Sequence, residues 1–358
     1  MDFRLTELQQ LLRANAEEFC EREITFDRVR ESELAGAASQ ALWSQIVELG
    51  WPALALSEAH GGQEGSILDG SVLLEQLCRS AAVTPFASTL LGAVAFQRLG
   101  DEQLCAAVLP EIANGATVAV AVLEASDDLF ANPTARVVGN ALSGEKRFVE
   151  YGSTADIHVV VAQRDGTPGL AVIRGSGGGV QATPLANIGG LPLSIITYDN
   201  APVVGWIGGF DAVHDLRALG MAITAFESYA YAQKALDMTV DYVQMRVQFG
   251  QPIGAFQAVQ NRVADMAIMV EASRFLTQEL LWNIDQGTIN RDQAALVKAI
   301  TAQMGPQVAM DCHLLHGGIG YMQEYNLQFF TRRAKDASLR WGTTREMMGR
   351  VADALLVA

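Results

Sequence analysis

The stretch "MRVQFGQPIGAFQAVQNRVADM", residues 245–266, closes one long helical pattern and opens another, and its reading decides the fold. Apolar residues recur at three- and four-residue spacing on both sides of it. Between them Gly250, Pro252 and Gly254 force a turn, with Arg246 and Gln248 at the end of the first helix. An Arg beside exposed glycine amides can grip an anion through its guanidinium fork. The same Arg can merely complement the helix C-terminus through the helix dipole. Both readings stand on this stretch alone.

Outward from it, the helical period covers 212–246, 256–285, 291–317 and 326–338, and a last helix follows the break at Gly342-Thr343-Thr344. Helices this long pack as an antiparallel bundle, so 211–358 is one domain. Upstream, 119–210 changes texture to short Val/Ile/Ala/Thr runs cut by Gly, Asn, Asp and Pro, which predicts a compact antiparallel β domain. Within it, "VVGNALSGEKRFVEYGSTADIHVVVA" reads as two hairpins, the first turning at Gly139-Asn140. Residues 1–118 are helical again. Asp101 is placed to cap a helix, and Gly50, Gly100 and Gly115 stand where helices should end. The fold class is therefore mainly α with a central β domain.

The chain has 358 residues, half of them hydrophobic, enough for two or three domains with a large core. Its formal net charge of −15 argues against a nucleic-acid or anionic-membrane partner and leaves a small molecule as the expected ligand. Cys20, Cys78, Cys105 and Cys312 are far apart, form no CxxC pair and sit in apolar helical contexts. They read as buried, reduced thiols of a cytoplasmic protein. The first residues are charged and amphipathic, without a signal-type apolar region, and no apolar run reaches the ~18 residues of a membrane span.

Two further stretches could carry chemistry. In "HLLHGGIGYMQEYNLQFFTRRAKD", Gly317, Gly318 and Gly320 allow backbone to approach a ligand closely. His313 and His316 are three residues apart, but no carboxylate or Cys completes a metal set, and lone helical histidines are usually structural. In "LRWGTTREMM", residues 339–348, a bulky Trp341 directly precedes a small-residue turn that looks suited to a ligand.

These motifs together carry a resemblance. "MRVQFGQPIGAFQAVQNRVADM" resembles a signature of the acyl-CoA dehydrogenase family, and "LLHGGIGYMQEYNLQFFTRRAK" is similar to that family's later signature, in the same order. "EAHGGQEGSILDGSVLLEQLCRSAAVTPF" resembles its N-terminal helical domain and "LSGEKRFVEYGSTADIHVVVA" its middle β domain. The resemblance implies the three-domain fold of that family, with a C-terminal four-helix bundle. It also implies an FAD cofactor shared across a subunit interface, an acyl-CoA substrate, an oligomer, usually a tetramer, and electron transfer to an electron-transfer flavoprotein. Arg246 would hold the FAD pyrophosphate, Phe249 would pack on the cofactor and Gln257 would lie near it. His316, Gly317 and Gly318 would present backbone to the dinucleotide, and Gly342 and Thr343 would form the turn beside it. The implied reaction is α,β-dehydrogenation of the thioester, for which the protein supplies a base and the flavin the redox chemistry.

The chain departs from the family pattern where the base should be. The family's Glu-Gly-Thr near the C-terminus reads Trp341-Gly342-Thr343 here, and the alternative base position on the preceding long helix is Gly220. One carboxylate remains as a catalytic candidate: Glu227, seven residues after Gly220 and about 10 Å along the same helix face. Apolar surroundings would raise its pKa, as a base for this chemistry needs. The alternative is a buried structural Glu paired with an Arg. In the β domain the family's Thr-Glu-Pro loop is "LEAS", 123–126, and its Trp-Ile-Thr is Phe148-Val149-Glu150, followed by Tyr151. These losses resemble the heteromeric bacterial acyl-CoA dehydrogenases of steroid side-chain breakdown, in which one subunit lacks the base and a homologous partner supplies it. A non-catalytic stabilising subunit, or a flavin-dependent oxygenase or oxidase on the same fold, are the alternatives.

Overall fold

A computed structural model describes residues 3–126 and 128–357. In chain order the helices are α1 (Glu7–Glu23), α2 (Phe26–Ala35), α3 (Gln40–Glu48), α4 (Ile67–Arg79), α5 (Phe86–Leu99) and α6 (Glu102–Ala113). Then come β1 (Val118–Ala121), β2 (Arg136–Val138), β3 (Ala141–Glu150), β4 (Ile157–Arg164), β5 (Thr167–Arg174), β6 (Val180–Pro184) and β7 (Leu193–Gly208). The chain ends in α7 (Phe210–Met245), a hairpin of β8 (Val247–Gln248) and β9 (Gln251–Pro252), α8 (Gln257–Asp285), α9 (Arg291–His316), α10 (Leu327–Leu339) and α11 (Thr344–Val357). It divides into two compact units: Met1–Phe26, Glu75–Ala82 and Met221–Ala358 in one, Asp27–Leu74 and Val83–Gly220 in the other.

Local chemistry sets the helix ends. Thr6 and Gln9 form a reciprocal capping box at the start of α1. Asp101 and Asn290 accept from Leu104 N (2.8 Å) and Gln293 N (3.0 Å) at the starts of α6 and α9. Gly50 and Gly115 follow α3 and α6 at φ 72° and 98°, the left-handed region that glycine enters without steric cost. Helix α2 has no counterpart in the sequence reading. It buries Val29 among charged neighbours, so its apolar stripe is too thin to show as a periodicity.

The unit containing Val83–Gly220 holds a sheet ordered β1-β4-β2-β3-β7-β5, with β5 returning to β4 and β6 added on β7. The hairpin at Gly139-Asn140 forms as expected, Gly139 taking φ 59°. The second expected hairpin does not: β3 runs antiparallel to β7, and β4 runs antiparallel to β5. The physical reason lies between β3 and β4. A register shift separates Lys146 and Val149, and Phe148 and Tyr151 both take φ 55°. A turn closed by Thr154 N donating to Tyr151 O (3.0 Å) then redirects the chain. Strand β4 is thereby laid parallel to β1 at one end and to β2 at the other, so the sheet is antiparallel except along that edge. Its core comprises Val137, Leu142, Val149, Val160, Ile173, Ile196 and Tyr198 with packed alanines.

In the unit containing Met221–Ala358, α7 is buried on nearly every side from Met221 to Leu236, which marks it as the central helix. Helix α9 packs on α8, α10 and α11. Arg333 of α10 is fully buried, with Nη1 donating to Ala82 O (3.1 Å). All four cysteines are buried and free, as the sequence reading expects. Among the described residues no helix is long and apolar enough to cross a membrane.

Candidate functional site

The two signature motifs meet where α7 and α9 end. Tyr242 lies one helical turn before Arg246, and its ring stacks on that of His316, centroids 4.4 Å apart and planes 21° from parallel. Its hydroxyl also donates to His316 O (3.3 Å). Arg246, at the end of α7, is therefore brought to the same end of the unit as Gly317 and Gly318. The Arg246 side chain is exposed, and no ion pair of its guanidinium occurs among the described residues. Beyond it the chain makes a tight β8–β9 hairpin whose tip is Phe249-Gly250, φ 52° and 82°. That tip presents Phe249 93% exposed. Gln257, also exposed, is the first residue of α8.

His316 itself is occupied. Its Nδ1 lies 2.8 Å from Cys312 O, and a carbonyl can only accept, so Nδ1 carries the proton. Its Nε2 then accepts from Tyr325 OH at 3.1 Å. Burial holds the imidazole pKa below its usual value, opposed by the Cys312 carbonyl. The ring is a neutral structural prop that positions the glycines after it. Gly317 takes φ 63°, and a Cβ added at Gly317 or Gly318 would meet nothing within 4 Å. What this end offers a ligand is a free cation, an exposed ring and uncovered backbone, a combination that fits a dinucleotide. Tyr242 and Tyr325 are absent from the sequence-derived site. Their signal was the placement of Tyr242 one turn before Arg246.

Glu227, Gly342 and Thr343 do not join this group. Glu227 precedes Tyr242 by fifteen residues of α7, about 22 Å along the axis. Its Oε2 lies 3.0 Å from Arg340 Nη1, with side-chain exposures of 4% and 13%. Burial pushes the Glu227 carboxyl above its usual value, and the Arg340 charge opposes that rise. Of the two sequence-level alternatives, the arrangement present is the buried Glu paired with an Arg. Arg340 also donates from Nε to Asp336 Oδ2 (2.7 Å). Nearby Lys298, fully buried, donates to Ala337 O (3.0 Å), and burial and the Arg340 charge lower its pKa to about 7.

The turn that follows is committed to its own helix. Thr343 Oγ1 and N both meet Glu346 Oε2 at 2.7 Å, a capping box that starts α11. Gly342 is buried at φ 104°, and a Cβ there would lie 2.5 Å from Met347 Cε. Trp341, in the motif position of the base, takes φ 56°.

In the other unit, Glu124 of the "LEAS" loop is held on all sides. It accepts from Thr134 N (2.7 Å), Thr134 Oγ1 (2.6 Å), Ala135 N (3.0 Å) and Lys146 Nζ (2.7 Å). Burial alone would raise its pKa, but the Lys146 charge and these hydrogen bonds hold it below the usual value. Lys146 is fully buried, with its pKa lowered to about 8 by burial. Phe148 is half exposed at the bulge beside it.

Residues 6–116 match the acyl-CoA dehydrogenase N-terminal domain, and residues 208–356 match the acyl-CoA dehydrogenase C-terminal domain. Cyclohex-1-ene-1-carbonyl-CoA dehydrogenase of Geobacter metallireducens is 31% identical over 92% of this chain and 97% of its own. A variant of the Tcur3481-Tcur3483 steroid ACAD superposes with TM-score 0.90 at 27% identity, covering 97% of each chain. The ChsE4-ChsE5 complex of Mycobacterium tuberculosis does so with TM-score 0.88 at 25% identity, covering 100% of each. The chain belongs to the acyl-CoA dehydrogenase family of flavoprotein oxidoreductases, whose members bind FAD and dehydrogenate acyl-CoA thioesters.

Proposed function

We propose that this chain is an FAD-associated subunit of a heteromeric acyl-CoA dehydrogenase, working on a CoA thioester beside a homologous subunit that supplies the catalytic base. The observation that carries the reading is the state of the base positions. Trp341 and Gly220 hold no carboxylate, and Glu227 is spent on Arg340 at 3.0 Å. Two solved relatives named for a pair of chains, the Tcur3481-Tcur3483 steroid ACAD and the ChsE4-ChsE5 complex, support the heteromer.

Arg246 would bind the FAD pyrophosphate, Phe249 and Gln257 would contact the cofactor, and Gly317 and Gly318 would lie against it, with His316 fixing them from behind. Bound FAD supplies the hydride-accepting chemistry. Glu227 enters as a base only if it leaves Arg340. The exposed apolar residues Ile268, Met310, Leu314 and Leu355 on α8, α9 and α11 support an oligomer, which we assign as a tetramer. Electron-transfer flavoprotein is the expected acceptor, and the cytoplasm the expected compartment.

The test is purification of the chain alone and together with a homologous acyl-CoA dehydrogenase chain. Flavin content, mass and acyl-CoA-dependent reduction of an acceptor are then compared. Activity confined to the mixed assembly is expected. A yellow homotetramer that reduces the acceptor at ordinary enzymatic rates would overturn the heteromer. Glu227→Gln at matched flavin content separates the roles of Glu227: a base would cost ~10²–10⁴-fold in kcat/KM, a counter-ion far less.

A second reading, a stabilising subunit without its own chemistry, is favoured by the commitment of Thr343 to the capping box. It predicts tight copurification with the homologue, and full activity when Arg246 of this chain is removed.

A further inference from the structure

We propose that Arg340 is a positioning residue. By binding Glu227 of α7 and Asp336 of α10 together, it holds the Trp341-Gly342 turn in its left-handed form and fixes the Trp341 ring at the motif position of the base. The proposal rests on the reading above, in which this chain works without a carboxylate at 341.

The backbone at this turn needs an external hold. Helix α10 stops at Leu339, and Arg340 leaves it with φ −64° and ψ 143°. Trp341 and Gly342 then take φ 56° and 104°. Glycine enters that region freely, but a bulky residue such as Trp does so only where its surroundings over-determine the conformation. The downstream side is pinned by the Thr343–Glu346 capping box and by Thr344 Oγ1 donating to Ala299 O (3.3 Å). The upstream side is pinned within α10, through Arg340 N donating to Asp336 O (3.1 Å) and Nε donating to Asp336 Oδ2 (2.7 Å).

Apart from the Thr344 bond to α9, those contacts tie the turn to its own neighbours, whereas the Glu227 pair ties it to α7, the central helix of the unit. A planar guanidinium can face two carboxylates at fixed angles, which an ammonium cannot, so Arg is suited to the place and Lys is not. A buried ion pair adds little net stability, because desolvation offsets the attraction. Its best-attested use is to select one arrangement among alternatives. Here the arrangement selected is the direction in which the chain leaves α10.

The test uses the full chain without flavin, in the variants Arg340→Met, Arg340→Lys, Glu227→Gln and the double Glu227→Gln/Arg340→Met. Each is made with and without Trp341→Phe, so that the emission of Trp341 is isolated by difference. The double variant leaves no unpaired buried charge from this pair, so it keeps the experiment readable if a single variant fails to fold. Acrylamide quenching of Trp341 is expected to rise at least twofold in Arg340→Met and in the double variant, with Arg340→Lys between them and the parent. Quenching and emission of Trp341 in the folded double variant equal to the parent would overturn the proposal. The readout needs neither cofactor nor partner. A chain that shows the expected change but never gains flavin or activity removes the functional reading alone. Unchanged Trp341 in a chain that joins an active assembly removes the positioning role alone.

Discussion

Tyr242 and His316 stack face to face at 4.4 Å, and the Tyr242 hydroxyl holds the carbonyl of the same histidine at 3.3 Å. This one pair fastens the end of α7, with Arg246 one turn on, to the end of α9, with Gly317 and Gly318 just after it. Tyr242→Leu is expected to lose about 1–3 kcal/mol from the stacking and the hydrogen bond, and to weaken FAD binding through the displaced glycines. Tyr242→Phe keeps the ring and should lose only ~0.5–1.5 kcal/mol. Urea denaturation of the apoprotein and flavin titration check both.

Arg246 gives the opposite profile. Its side chain is exposed and unconnected to the core, so Arg246→Gln should shift the stability of the apoprotein by less than ~0.5 kcal/mol. Loss of a charge-assisted contact to a pyrophosphate should weaken FAD binding by about 1.5–3 kcal/mol, roughly tenfold to a hundredfold. Equal flavin affinity in the variant and the parent, measured by fluorescence titration, would remove Arg246 from the site.

Thr343 tests whether the turn before α11 serves the fold or a ligand. Thr343→Ala breaks the capping box with Glu346 and should destabilise the apoprotein by ~1 kcal/mol, whereas Thr343→Ser should restore most of it. An apoprotein melting temperature unchanged by Thr343→Ala would show that the hydroxyl is not the cap.

Lys298 makes the pH dependence of stability specific. Its folded pKa, lowered to about 7 by burial and by Arg340, lies below the ordinary lysine value of 10.5. Between those two values the unfolded chain binds the proton and the folded chain does not, so this group's contribution to stability rises with pH. Lys298→Met lacks that contribution. The variant should be as stable as the parent or more so near pH 7, and should lose ground toward pH 9 by at most ~1.4 kcal/mol per pH unit. Urea denaturation of both proteins at pH 7, 8 and 9 measures the difference; parallel profiles would contradict it.

Glu124 acts in the same direction but in the acid range, because its folded pKa too lies below the unfolded value. Lys146, Thr134 and Ala135 hold its carboxyl below 4.5 in the folded chain. Its stabilisation is therefore complete above that value and lost as pH falls through the lowered folded pKa. Glu124→Gln should flatten the acid limb of the stability curve and destabilise the protein at pH 7. The expected loss is about 3–5 kcal/mol, because the fully buried Lys146 would keep no counter-ion. Acid titration followed by circular dichroism distinguishes the two chains.

The sequence alone determined the elements whose causes are local. Periodicity placed α7 to α11, Asp101 announced the start of α6 by accepting from the backbone N–H three residues on, and Gly139-Asn140 specified a turn by its own backbone preferences. It also located Arg246, Phe249 and Gly317 in motifs whose composition suits a dinucleotide. Pairings between distant segments were decided only in three dimensions. The parallel partners of β4 depend on a bulge at Lys146 and on left-handed Phe148 and Tyr151, residues with no intrinsic preference for that geometry. The same holds for Glu227. An apolar flank predicts a raised carboxyl pKa equally well for a base and for a buried counter-ion. Only the fold placed Arg340, more than a hundred residues away, beside Glu227, and the energy of a buried charge depends on the charge placed beside it rather than on its neighbours in the chain.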